Sequence, residues 1–141
     1  AFTVITIVSI HNNSDSISSY SGLLKKSRLL TLVMTISIIS LIGLPPSVGF
    51  MAKIYIFGSA MDTGLQWLAV FGVLNSVISA FYYLKIIKIM LIDENKNSDP
   101  IKLSMNYYFI SIGCTFGIVI LGIFPGSIIE VAHRAIESII Y

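Results

Sequence analysis

Apolar stretches alternate with short polar interruptions along the chain. Residues 1–10 are apolar but too few to cross a hydrocarbon core of about 30 Å, so they read as the tail of a helix. A long apolar run covers 29–61, and after the turn Asp62-Thr63-Gly64 a second covers 65–91, with Trp67 at interfacial depth. A third run covers 103–125, where Pro125-Gly126 stops or kinks it. In 127–141, Ile128, Val131, Ala132, Ala135 and Ile139 fall on one side at helical spacing, which predicts an amphipathic end lying in the interface. The pattern predicts a single all-α integral membrane domain: about three full transmembrane helices plus the tail of a fourth.

The first full span is predicted to be discontinuous. As one straight helix, its roughly 33 residues would run about 50 Å, well beyond the hydrocarbon thickness. Gly43, Pro45, Pro46 and Gly49 interrupt it. Pro45 and Pro46 have no N–H, so in a helix the carbonyls of Leu41 and Ile42 lose their usual donors. Broken backbone at membrane depth requires protein or a water-filled cavity around it.

Composition narrows the class further. The chain is 55% hydrophobic and 11% charged, with mean hydropathy +0.88, values of an integral membrane protein. A net charge of +2, dispersed along the chain, excludes a nucleic-acid partner. The single cysteine, Cys114, supports neither a disulfide framework nor a metal cluster and reads as a small hydrophobe. Residues 1–10 lack the basic flank of a signal peptide, so the chain reads as a fragment or the product of a split gene. Basic residues collect on one side: Lys25, Lys26, Arg28, Lys96 and Lys102, with Lys85 and Lys88 near the end of their span. Arg134 shares the other side with Asp62, Glu130 and Glu137. That bias places the loops 11–28 and 93–102 in the cytoplasm and the C-terminus outside.

Lys53 is the leading candidate for chemistry. It follows the double-proline break by one to two helical turns, inside an apolar segment. Desolvation and the positive end of the second half-helix both favour its neutral amine, as a proton relay requires. The competing structural reading is a lysine that snorkels to the interface. In the middle span Asn75, Ser79 and Tyr83 recur at i, i+4 and i+8, with Gly72, Ser76 and Tyr82 beside them. Such a stripe either lines a hydrated path or packs two helices tightly. Lys85 is a candidate inner terminus of that path, and Lys88 a snorkelling lysine. Gly113 and Gly117 form a GxxxG that predicts close helix packing. Glu130 and His133 have the spacing of a di-metal ligand pair, but no second copy exists; pairing among Glu130, Arg134 and Glu137 on a solvated face explains them. With no nucleophile elbow, phosphate-binding loop or haem motif, no catalytic residue and no metal or cofactor site is expected in this chain.

The order Tyr20-Ser21-Gly22-Leu23, Lys25-Lys26, then Gly43-Leu44-Pro45-Pro46-Ser47-Val48-Gly49-Phe50-Met51-Ala52-Lys53 resembles the antiporter-like membrane subunits of respiratory complex I. Leu74-Asn75-Ser76-Val77-Ile78-Ser79-Ala80-Phe81-Tyr82-Tyr83-Leu84-Lys85 is similar, within that family, to the subunit N type, called subunit 2 in mitochondria and B in chloroplasts. The resemblance covers nearly the whole chain. It implies a fourteen-helix subunit of a proton-translocating NADH:quinone oxidoreductase, with this chain holding the tail of helix eleven and helices twelve to fourteen. It implies that Lys53 is the proton-channel lysine of a discontinuous helix twelve and that Lys85 matches a basic position in helix thirteen. NADH, FMN, iron–sulfur clusters and quinone would bind other subunits. The partners would be those membrane subunits, the missing N-terminal helices and the lipid bilayer. A bacterial or archaeal plasma membrane is the expected location, with an organelle inner membrane or thylakoid as alternatives. The rival reading is a multisubunit Na⁺/H⁺ antiporter subunit; a membrane hydrogenase or a ferredoxin- or deazaflavin-linked oxidoreductase is a variant of the first.

Overall fold

The structure, a computed structural model, describes residues 1–93, 101, 105–126, 129–131 and 134–135. Among the described residues every regular element is helical: α1 (Phe2–Asn12), a 3₁₀ turn (Ile17–Tyr20), α2 (Leu23–Lys26), α3 (Arg28–Ile42), α4 (Val48–Asp62), α5 (Gln66–Leu91) and α6 (Met105–Ile123). Of these, α5 and α6 are long and apolar enough to cross a membrane. The two 15-residue helices α3 and α4 each reach only about 22 Å, so neither crosses a 30 Å core alone. They occupy the interrupted 29–61 stretch, and the gap between them falls at Gly43–Ser47.

The buried core lies towards one end of the bundle. Val4 and Val8 of α1, Leu30 and Ile38 of α3, and Met90 of α5 are almost wholly enclosed there, together with Tyr20 and Leu23. The polar segment 11–28, expected as a loop, therefore contributes core. Its 3₁₀ turn and the single helical turn of α2 bring Tyr20 and Leu23, three residues apart, onto one side. Ser16 caps the first turn by accepting from the Ser18 N–H, and the same segment is tied to the far end of α5. There Ser21 Oγ donates to the Asp93 carbonyl at 3.4 Å, and the Ile101 N–H donates to the Lys26 carbonyl at 3.3 Å. Asp93 and Ile101, the described residues of the second loop, thus meet the first polar segment at one end of the bundle.

Away from this core, α5 turns large apolar side chains outward, Trp67 (77% exposed), Phe71 and Phe81 among them. Such a surface is stable in hydrocarbon or under neighbouring helices, and costly in water. The close packing expected at Gly113 and Gly117 is not made among the described residues: a Cβ at either would meet nothing within 4 Å. Instead α6 makes its close approach at Gly122, where a Cβ would lie 2.5–2.7 Å from the backbone of Ser47 and Val48. The expected amphipathic end, 127–141, lies mostly outside the described residues, as do His133, Glu137 and most of the 93–102 loop. Within it, Val131 is exposed, and Arg134 and Glu130 form an exposed i, i+4 ion pair at 2.8 Å.

A candidate proton-handling site at the helix break

Where α3 stops, its last four carbonyls need partners from outside the helix. Gly43 enters the left-handed region at φ +84°, and its N–H reaches back to the carbonyls of Ile39 and Ser40, both at 3.1 Å. The Leu44 N–H donates to Ile39 at 3.2 Å, completing a Schellman motif. The next two amides belong to Pro45 and Pro46, which cannot donate. Lys53 takes their place: its Nζ donates to the carbonyl of Ile42 at 2.7 Å and to that of Leu41 at 3.2 Å. The two acceptors orphaned by the prolines are the two that the lysine binds.

Lys53 reaches them because a helical side chain leans towards the N-terminus of its own helix. It sits in the second turn of α4, half-buried, and its stem lies across Gly43. A Cβ at Gly43 would stand 2.8 Å from Lys53 Cδ and 3.1 Å from Nζ. Gly43→Ala should therefore lower the melting temperature, through a left-handed alanine costing about 1–2 kcal/mol, and displace the lysine as well. A melting temperature equal to that of the parent would contradict this placement.

The start of α4 is bound just as closely. Ser47 caps it, accepting from the Phe50 N–H at 3.4 Å while its hydroxyl donates to the Leu44 carbonyl at 2.6 Å. Ser40, buried in α3, accepts from the Gly49 N–H at 3.3 Å, so one half-helix caps the other. Backbones meet here: a Cβ at Gly49 would lie 1.9 Å from the Ser40 carbonyl oxygen. The negative end of α3 and the positive end of α4 thus share one small volume, and Lys53 spans it. The sequence points to the α4 end alone; the carbonyl end of α3 enters only with the fold.

Beyond Lys53, a cavity of about 330 Å³ opens between α4 and α5, with Gly43, Phe57, Ser76 and Ala80 in its wall. Of the stripe predicted on α5, Ser76 faces this cavity, and Gly72 receives the Phe57 ring, whose Cε1 would lie 2.4 Å from a Cβ there. Asn75 is exposed on another side of α5. Ser79 donates to the Ser76 carbonyl at 3.0 Å, while Tyr83 packs against the apolar core. Lys85 is exposed and outside the cavity wall. Sequence spacing identifies the polar stripe but not how α5 is rotated against α4, and Ser76 is the member that rotation selects. No group of three or more potential metal ligands occurs among the described residues.

A family model described as NADH:quinone oxidoreductase/Mrp antiporter, TM, matches residues 1–79, which include the break and Lys53. NADH-quinone oxidoreductase subunit N of Heliobacterium modesticaldum is 42% identical over 139 residues, 99% of this chain and 29% of the relative. The protein of the same name from Desulforamulus reducens is 38% identical over 138 residues, again 29% of its length. NAD(P)H-quinone oxidoreductase subunit 2 of a Nostoc species is 44% identical over 102 residues, 72% of this chain and 20% of the relative. The chain spans less than a third of the length of the curated relatives it matches. It is a helical membrane protein, and it belongs to the NADH:quinone oxidoreductase/Mrp antiporter transmembrane family.

Proposed function

We propose that this chain forms part of the proton-translocating membrane subunit N of an NADH:quinone oxidoreductase, with Lys53 on the proton path. One observation carries the reading: a lysine, half-buried beside an apolar helix break, holds the two carbonyls that the prolines strand. The ammonium is bound by those carbonyls and by the negative end of α3. A neutral amine keeps protons to donate and gains a lone pair that takes a proton from water. Lys53 can therefore change protonation without losing its place. Electron transfer would alternate its charge by moving charges on neighbouring helices.

Redox chemistry belongs elsewhere in the complex. NADH, FMN, the iron–sulfur clusters and quinone bind other subunits, and this chain performs no catalysis alone. Its partners are those membrane subunits and the rest of the same subunit. The loops 11–28 and 93–102 face the cytoplasm of a bacterial or archaeal plasma membrane; their basic residues and the Ser21–Asp93 and Lys26–Ile101 bonds support one shared side. Lys85, exposed near that side, is the candidate inner terminus.

The family description also names the Mrp antiporter; a second reading is a Na⁺/H⁺ antiporter subunit, which would use the same lysine without a redox partner. Inverted membrane vesicles carrying the full-length gene separate the two. NADH-driven acidification that falls in Lys53→Ala is the expected result. If NADH drives no acidification that depends on this gene, while added Na⁺ collapses an imposed pH gradient only when Lys53 is present, the antiporter reading replaces it.

A further inference from the structure

The junction of the two half-helices carries an inference that rests on the proton-path reading and adds a second residue to it. Among the described residues, hydrogen bonds cross from α4 to α3 at two places. Lys53 Nζ reaches the carbonyls of Leu41 and Ile42, and the Gly49 N–H reaches Ser40 Oγ at 3.3 Å. On α3 the acceptors belong to three consecutive residues, 40, 41 and 42. On α4, Gly49 and Lys53 are four residues apart and share a face, the one along which the lysine stem leans back. Ser40 is itself firmly held: it is buried, and its own carbonyl accepts from the Gly43 N–H at 3.1 Å. The Gly49 N–H is one of the amides that begin α4 and have no partner within the helix, so Ser40 supplies from α3 what α4 lacks.

We propose that Ser40 is the positioning residue of Lys53: its hydroxyl oxygen holds the first turn of α4 against α3, so that the lysine keeps its two carbonyls through each change of charge. The two crossings respond differently to that change. The bonds from Lys53 are charge-assisted while it is an ammonium, and lose roughly half their strength when it is a neutral amine. The bond from Gly49 to Ser40 joins two neutral groups and does not depend on the lysine's charge. It therefore ties the half-helices during the part of the cycle in which the lysine ties them least. Without it, the Gly49 N–H stands at membrane depth with no acceptor, and the longer Lys53 bond, 3.2 Å to Leu41, has little reach to spare. Ser40 handles no proton itself and acts only through where it keeps Lys53.

The test uses the assembled full-length complex in inverted vesicles, with acidification measured against NADH oxidised in the parent, Ser40→Ala, Lys53→Ala and the double variant. The Lys53-dependent part is the parental value less that of Lys53→Ala. In Ser40→Ala that part should fall by as much as about fivefold, the factor one hydrogen bond is worth. The double variant should acidify like Lys53→Ala alone, because Ser40 has nothing to position once the lysine is gone. Alanine fits within the volume of serine and favours the helix, so the subunit should accumulate normally. If it does not, Ser40→Cys, which keeps the volume but offers only a weak acceptor, serves the same comparison. Parental acidification in Ser40→Ala while Lys53→Ala is impaired would overturn the role of Ser40 and leave the lysine reading standing. A double variant weaker than Lys53→Ala would overturn it equally, since Ser40 would then act on something other than the lysine. Parental acidification in Lys53→Ala would bring down both.

Discussion

Gly49→Ala should prevent the subunit from assembling. The added methyl would stand 1.9 Å from the Ser40 carbonyl oxygen and 2.8 Å from its carbon. Those are backbone atoms inside α3, so no rotamer change relieves the overlap. Separating the half-helices also stretches the Gly49 N–H to Ser40 Oγ bond, now 3.3 Å, and the close seating of Gly122 on Ser47. Overpacking costs typically about 1–3 kcal/mol, and a backbone-to-backbone overlap belongs at or above the upper end. Gly58→Ala in the same helix is the control, since its Cβ would meet nothing within 4 Å among the described residues. There alanine should stabilise the helix by up to about 1 kcal/mol. Subunit abundance in membranes and the melting temperature of the purified complex read both changes. Equal abundance of Gly49→Ala and the parent would show that the half-helices do not meet as described.

Exchanging Lys53 for methionine or arginine should separate what the lysine supports from what it transports. Methionine keeps an unbranched stem over Gly43 but offers no donor, so the carbonyls of Leu41 and Ile42 lose the bonds they now receive. An acceptor left unsatisfied away from water, as at membrane depth, costs about 1–3 kcal/mol, and two of them should lower the melting temperature of the complex by several degrees. Arginine supplies donors to the same carbonyls but holds its proton at any physiological pH. Lys53→Arg should therefore keep most of the parental stability and still lose this subunit's share of proton transport. Lys53→Met should lose both. An arginine variant that transports like the parent would mean that proton exchange does not occur at residue 53.

Much of this site was legible in the chain before its fold. The prolines named the carbonyls they would strand, because a missing N–H at 45 and 46 has consequences four residues back whatever surrounds it. Apolar run lengths placed α5 and α6, and the excess length of 29–61 required an interruption. What the sequence did not show depends on contacts across elements. That Lys53 itself caps α3 follows from the turn Gly43–Ser47 folding α4 back within a side chain's reach, which no local pattern encodes. Asn75, Ser76 and Ser79 are all polar, and only the way α5 turns against α4, with Phe57 on Gly72, puts Ser76 in the cavity wall that Lys53 shares. GxxxG spacing marked Gly113 and Gly117, while the close approach occurs at Gly122, against the backbone of Ser47 and Val48. Polarity made 11–28 read as loop. Tyr20 and Leu23 are too few for a periodic signal, yet they close the core.

If Lys53 carries protons through the break it caps, the number of protons translocated per electron pair by the intact complex in sealed vesicles depends on it, and the direct comparison is the parent against Lys53→Arg and Lys53→Ala. A lower ratio is expected in both variants, with arginine closer to the parent in stability but not in stoichiometry. An undiminished ratio in Lys53→Ala, in vesicles that remain equally proton-tight, would contradict it and leave the lysine a structural cap.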